Sequence, residues 1–284
     1  MVKSSKGFRV LPILFIIIMI LFLTLPFIPL VIWSLTKQWP WPLLLPEKWS
    51  LDSWNYLFSV SGRVGEGLLN SFLVAAITLI GNIIIGIPAA RALAKYEMKG
   101  KMIVFMILLS PLFIPYTVSI MGMYDIAIRF NFLNQYVSVA FAHILVTLPY
   151  FVAAIWFQFR LIGQSLQEAA SSLGASEWKI FLWIECPLLL PSFLLGSMLV
   201  IVISLSQYLP TWIMSGGTLI TIPLVIFPFA SSGNSSLVSA YSLAFFGPIL
   251  VLLMVYYFLL RINSRKNRRL GVSNREARAS NDTD

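Results

Sequence analysis

Six stretches of this chain, each twenty-two to twenty-seven residues long and almost free of charge, constrain its fold more than anything else. They run approximately Val10–Trp33, Asn70–Ala94, Met102–Ala127, Tyr136–Phe157, Leu188–Met214 and Val238–Leu260. At 1.5 Å per residue, a helix of about 24 residues covers ~36 Å, enough for a ~30 Å hydrocarbon core with some tilt. The runs are continuously apolar and do not alternate every second residue, so they predict helices, not the strands of a barrel. The expected fold class is all-α and polytopic, with six transmembrane helices. A membrane domain over 10–260 would lie between a short N-terminus, 1–9, and a basic tail, 261–284. No internal repeat is visible, so the chain reads as one six-span unit.

Composition agrees and excludes several function classes. The chain is 58% hydrophobic and 11% charged, whereas a soluble domain carries roughly 25% charged residues. Its net charge of +9 would suggest a nucleic-acid partner in a soluble protein. Here the basic residues sit between apolar runs and at the ends, as membrane orientation requires, so nucleic acid is not expected. One cysteine, Cys186, allows no internal disulfide, and one histidine, His143, builds no metal site alone. No G-x-x-x-x-G-K-[ST] loop occurs, so no nucleotide or other cofactor is expected in this chain.

Lys and Arg set the expected orientation. Sixteen of them fall at the N-terminus (Lys3, Lys6, Arg9), in the second-to-third and fourth-to-fifth connections, and in the tail; four fall on the opposite side. Both termini are therefore expected in the cytoplasm. The first run reads as an uncleaved anchor, because its apolar core is too long for a secretory signal and Ile32-Trp33-Ser34-Leu35 is a poor cleavage site. The outer segment Ser34–Leu69 carries Trp39, Trp41, Trp49 and Trp54, suited to interfacial anchoring or to an outer partner. The uncharged stretch Ser215–Leu237 reads as a re-entrant or interfacial element, and the tail from Asn263 as disordered or lipid-apposed. Pro111 and Pro115 are expected to kink the third span, and Gly81, Gly86 and Ala89 or Ala90 to be close-packing positions.

Between the fourth and fifth spans lies a loop of roughly 28 residues, 160–187, too long for a simple turn. Ser165-Leu166-Gln167-Glu168 reads as a capping box that starts a helix at Ser165. Leu166, Ala169, Ala170 and Leu173 then make an apolar stripe, and Gly174 stops the helix. Ser176 can cap a second helix with Trp178, Phe181 and Leu182 on one face. Such a stripe can dock in a groove of another subunit or pack on the inner ends of this chain's own spans, and patterning leaves both open.

The residues Glu168-Ala169-Ala170, Gly174, Ile184 and Pro187, at their spacing, resemble the EAA signature of permease subunits in ATP-binding-cassette importers. Cys186 stands where the pattern has Leu, a mild departure, since a buried cysteine behaves as a small hydrophobe. A looser likeness covers about 69–260, including Leu69-Asn70-Ser71. The resemblance implies a type I importer permease fold with a cytoplasmic coupling-helix loop. Glu168, Ala169, Ala170, Leu173, Gly174, Trp178, Ile184 and Pro187 would form the surface that meets an ATPase subunit, with Glu168 facing a basic group there. It further implies an ATPase dimer that uses the ATP and an extracytoplasmic solute-binding protein. A second permease subunit is also implied, a paralogue in preference to a second copy. The setting would be lipid, in a bacterial or archaeal cytoplasmic membrane.

Candidate pathway residues are His143 and Tyr150 on the fourth span, two turns apart, and Ser204, Gln207, Tyr208 and Thr211 on the fifth, spaced i, i+3, i+4 and i+7. His143 reads as an interhelical hydrogen-bond partner or as a pathway group, and the polar stripe faces other helices or a water-filled route. A secondary transporter would usually carry acidic groups near mid-span, which are missing from the sequence. A membrane-embedded enzyme would need a cluster of catalytic polar groups, also missing. The stretches His143–Tyr150 and Thr218–Pro223 resemble the branch serving polyamines, ferric iron, thiamine or phosphonates more than the sugar branch. A small polar solute is expected.

Overall fold

The computed structural model describes residues 7–281 except 38, 40–42, 44, 45, 47, 98 and 131–133; the side chains of 7–11, 116 and 262–281 also lie outside the description. Lys3, Lys6 and Trp41 therefore fall outside it. Regular structure among the described residues is helical, apart from a single antiparallel bridge, Thr36–Trp49. In chain order the helices are α1 Gly7–Thr24, α2 Phe27–Ser34, α3 Asp52–Phe58, α4 Val64–Lys95, α5 Lys101–Leu109, α6 Tyr116–Arg129, α7 Gln135–Ile162, α8 Ser165–Ser172, α9 Glu177–Ile180, α10 Cys186–Leu205, α11 Leu209–Ser215, α12 Ile222–Ser231 and α13 Ser235–Asn281.

Among the described residues five helical segments are long and apolar enough to span, and α5 with α6 makes a sixth only as a pair bent by 100°. The third span is thus not one kinked helix over 102–127. Pro111 and Pro115 lack the N–H that would continue the ladder, and their rings crowd the carbonyls four residues back. Ser110–Leu112 tightens into a 3-10 turn, and Pro115 adopts φ −52°, ψ 117°. The fifth span is also interrupted. α10 ends at Leu205 and α11 begins at Leu209, because Pro210 cannot donate to the carbonyl of Ser206. The expected single stripe over Ser204–Thr211 does not exist as one helical face. The tail departs in the other direction: α13 runs on to Asn281, in a stretch free of proline and rich in Arg, a good helix former.

The chain divides into two compact units. One takes Met1–Gly65 with Val225–Gly247, the other Glu66–Leu224 with Pro248–Asp284. In the first, Leu57, Ala240 and Tyr241 form a core against which Trp54, Val225 and Phe229 pack. The Tyr241 hydroxyl donates to the Gly62 carbonyl at 2.5 Å. Trp54 is half-buried here, whereas Trp49 is exposed. The exposed apolar residues Ile13–Leu23 on α1 leave that helix a lipid-facing surface. In the second unit α7 is central: 56% of its most apolar stretch is buried, against 28% for α4 and 33% for α10.

Close approach of α4, α7 and α10 depends on two glycines. Phe151 of α7 is fully buried. A Cβ on Gly86 of α4 would lie 2.6 Å from its Cδ1, and one on Gly196 of α10 would lie 3.0 Å from its Cδ2. The ring occupies the space that two side chains would otherwise fill, a small-residue contact suited to lipid. Gly81, beside Ile144, and the fully buried Ala90 also sit in contacts of this kind.

Candidate functional site

The loop 160–187 folds into two short helices, and its turn is defined by backbone chemistry. Gly174 sits at φ +82°. The amide of Ala175 donates to the Ala170 carbonyl at 3.1 Å and that of Gly174 to the Ser171 carbonyl at 2.9 Å. These two bonds make a Schellman cap, which needs a left-handed residue at the glycine position. The capping of α8 differs from expectation. Ser165 is its first helical residue, Gln164 precedes it, and no side chain caps the helix. Ser176 stands at the N-cap of α9, again without a side-chain cap bond.

The apolar stripe of α8 finds no cover among the described residues. α8 has no buried residue, Leu166 is 49% exposed, Leu173 is 89% exposed and Trp178 is 67% exposed. Ala169 is exposed and Ala170 half-buried. Among the described residues Glu168 is exposed and pairs with no cation. The patterning alternative, in which the helices pack on this chain's own spans, does not describe α8, but it holds in part for the second helix: Ile180 is buried and Phe181 packs against the core that includes Ala90 and Leu93. Ile184 is half-buried, and Pro187 and Cys186 are exposed. Cys186 is therefore no buried substitute for a core leucine.

One end of this loop is anchored ionically to α4. Glu185 is fully buried. It accepts from Arg91 Nε at 2.8 Å and Nη2 at 3.4 Å, and from Lys95 Nζ. Arg91 Nη1 also lies 3.5 Å from the exposed Glu177 carboxylate, and the guanidinium sits 5.4 Å from the Phe181 ring centroid. At the other end of the loop, Gln164 Nε2 donates to the Lys95 carbonyl at 3.1 Å. Phe181–Glu185 forms a single wide π-type turn between α9 and α10, a rare feature in helices.

Deeper in the same unit the pathway candidates separate into two groups. His143 is buried between Ser204 and Thr211, with Nδ1 2.8 Å from Ser204 Oγ and Nε2 3.1 Å from Thr211 Oγ1. The single Thr211 hydroxyl proton goes to the Gln207 carbonyl at 2.8 Å, so Nε2–H donates to Thr211 and Ser204 donates to Nδ1. His143 thus ties α7 to both sides of the α10–α11 break. Its carbonyl accepts from Thr147, whose hydroxyl accepts from Asn82 of α4 at 2.8 Å. Of the two readings left open for His143, the interhelical one describes its contacts. Replacing it with Leu is expected to cost about 1 kcal/mol, in line with interhelical hydrogen bonds in lipid. Thermal unfolding in detergent checks this, and His143→Gln should lose less.

Tyr150 and Gln207 belong to the second group. With Pro111, Phe113, Ser119 and Val146 they line a cavity of about 430 Å³ beside the α5–α6 bend. Tyr150 is 41% exposed. Tyr208 lies half-buried in the break itself.

No family model matches the chain. It is 30% identical, over 60% of its length and 82% of the relative's, to a molybdenum transport system permease protein of Bacillus subtilis. The chain belongs to the permease subunits of ABC transporters. It is also 29% identical to a spermidine/putrescine transport system permease protein of Haemophilus influenzae, over 77% of this chain and 84% of that one. It is 25% identical to a diacetylchitobiose uptake system permease protein of Streptomyces coelicolor, over 53% of this chain and 49% of that one. Matches of this last kind span only about half of the relative's length. Among solved structures, a bacterial ABC transporter involved in alginate import shares the fold, at TM-score 0.60 and 18% identity over 90% of this chain and 97% of that one.

For this permease, sequence reasoning missed Glu185, Glu177 and the use of Arg91 and Lys95. The two basic residues read as orientation charges, yet each holds an acidic partner. A signal was present: Glu185 is the lone acid in the apolar run Phe181–Pro187, and a buried acid there requires cations. The permease also uses Asn70 and Ser71 in a way that its sequence pattern did not reveal. Asn70 Nδ2 donates to the Ile220 carbonyl at 2.8 Å, and the Ile222 amide donates to Ser71 Oγ at 3.0 Å.

Proposed function

We propose that this permease forms the translocation pathway of an ATP-driven importer for a small polar solute and seats its 160–187 loop on a partner ATPase. The observation that carries this reading is the uncovered apolar face of α8, continued by the exposed Trp178 of α9. Leu173 at 89% exposure and Trp178 at 67% flank the capped turn at Gly174. An apolar helical face of this kind is buried by an amphipathic docking contact. The excess of basic residues on one side of the chain supports a cytoplasmic position for the loop and both termini. Glu168 offers a carboxylate to a cation of the partner, worth about 0–1 kcal/mol at an exposed site and so serving register more than affinity.

The rest of the assembly follows from the same reading. ATP is bound and hydrolysed by the ATPase dimer, and this chain needs no cofactor. A second permease subunit, a paralogue in preference to a second copy, completes the pathway, and a binding protein delivers solute from outside. The route passes the Tyr150–Gln207 cavity, while His143, Ser204 and Thr211 stabilise its wall. The relatives named above handle, by their names, a metal oxyanion's element, polyamines and an amino-sugar dimer. The solute is therefore best sought through the binding protein.

Co-purification of the ATPase tests the proposal. Leu173→Asp removes roughly the burial energy of one leucine, about 1.5–3 kcal/mol, so retention should fall at least about tenfold. Normal retention and transport in both Leu173→Asp and Glu168→Ala would overturn the assignment.

A further inference from the structure

Three polar links join the loop to one short piece of α4. Gln164 holds the Lys95 carbonyl, Glu177 faces Arg91, and Glu185 is clamped by Arg91 and Lys95 together. Together they engage both ends of the loop. The Glu185 link differs from the others, because its carboxylate has no solvent exposure while Glu177 remains exposed. A buried carboxylate between two cations is screened little and has few alternative partners, so it moves with them. An exposed pair can dissolve and re-form.

Twenty residues before Arg91, the same helix makes a second clasp. Asn70 and Ser71 hold the backbone of Ile220 and Ile222, and the Tyr136 hydroxyl donates to Asn70 Oδ1 at 2.9 Å. Leu219, Thr221 and Ile222 are buried there. At 1.5 Å per residue, the two clasps lie roughly 30 Å apart along one continuous helix. The backbone between them stays helical throughout, with the ladder missing one bond at Pro88, which has no N–H to donate, and such an element bends little compared with a loop.

We propose that Glu185 is a positioning residue that transmits displacement of the 160–187 loop into α4, and that α4 delivers it to the 218–222 segment through Asn70 and Ser71. The proposal rests on the importer reading and adds the path inside this chain. It assigns Arg91 and Lys95 the role of a mechanical joint in addition to their topological one. Docking needs only the outer face of α8 and α9, so loss of the joint separates ATP hydrolysis from solute movement.

The measurement is solute moved per ATP hydrolysed, in vesicles holding the full complex, with ATPase retention measured on the same preparations. Glu185→Gln should keep ATPase retention within twofold and lower solute per ATP about fivefold. Glu185→Asp, which keeps the charge, should recover at least half of that loss. Ser71→Ala at the far clasp should lower the ratio as well. If the two sites act in series, Glu185→Gln with Ser71→Ala is no worse than the more impaired single variant, because one interrupted path cannot be interrupted twice. Multiplication of the two losses overturns the proposal, as does an unchanged ratio in Glu185→Gln. A wild-type chain that holds no ATPase overturns the importer reading and this proposal with it. A wild type that couples normally beside an equally well-coupled Glu185→Gln overturns this proposal alone.

Discussion

Gly174→Val is expected to reduce ATPase retention by roughly a hundredfold, while Gly174→Asn leaves it close to wild type. No atom lies within 4 Å of a Cβ built at this position, so space is not the constraint. The constraint is the backbone at φ +82°. A left-handed conformation costs an ordinary residue about 1–2 kcal/mol and a β-branched one more, whereas asparagine visits it readily. Valine also puts the two cap bonds to Ala170 and Ser171 at risk, each worth about 0.5–1.5 kcal/mol. The sum is about 3 kcal/mol, a factor of roughly a hundred if the cap must form for docking. Retention measured at matched expression distinguishes the two variants. Equal loss in both would mean that the exposed surface at Gly174, not its dihedral angle, is what the partner reads.

Gly86→Ile should have the largest effect on the permease itself. Even a first carbon at Gly86 would collide with Phe151 at 2.6 Å, and the ring cannot retreat because Gly196 closes its other side. Overpacking a tight core costs about 1–3 kcal/mol for small additions, and isoleucine adds three carbons beyond the first. We expect loss of most folded protein in detergent, read by size-exclusion chromatography and thermal unfolding. Gly86→Ala with Phe151→Leu should be more stable than Gly86→Ala alone, since the smaller side chain vacates the contested volume. If Gly86→Ala is as stable as wild type and Phe151→Leu adds nothing, α4 and α7 are not held at this distance by the ring.

What could be read from the sequence follows how local each signal is. Hydropathy identified the spanning runs because twenty consecutive apolar residues state their solvent without reference to the rest of the chain. Gly174 was legible for the same reason: a helix stop is written in a few neighbouring residues. Proline effects were half legible. Pro111 and Pro115 announced a disturbance, but a kink and a 100° bend differ by what the surrounding helices allow. Pro210 was overlooked, and with it the break that separates Ser204 from Thr211 in helical phase while His143 brings them together. Least legible was the Glu185 clamp. Its partners lie 90 and 94 residues away, and no periodicity reports a pairing at that separation. Ser165 shows the converse limit, since a well-spaced capping box did not form although the helix begins where it was expected.

The wide turn at Phe181–Glu185 has a consequence for how this chain can change over evolutionary time. A π turn holds one residue more than an α-helix needs, so it is in effect a tolerated single-residue insertion. Each residue of an α-helix advances the azimuth by about 100°. Deleting one residue here would restore ordinary helical winding and swing α8 and α9 by that angle about the axis of α10. The direction in which the loop faces is therefore set by a count of residues as well as by side chains. A lineage could redirect it with one short deletion, leaving every spanning helix intact.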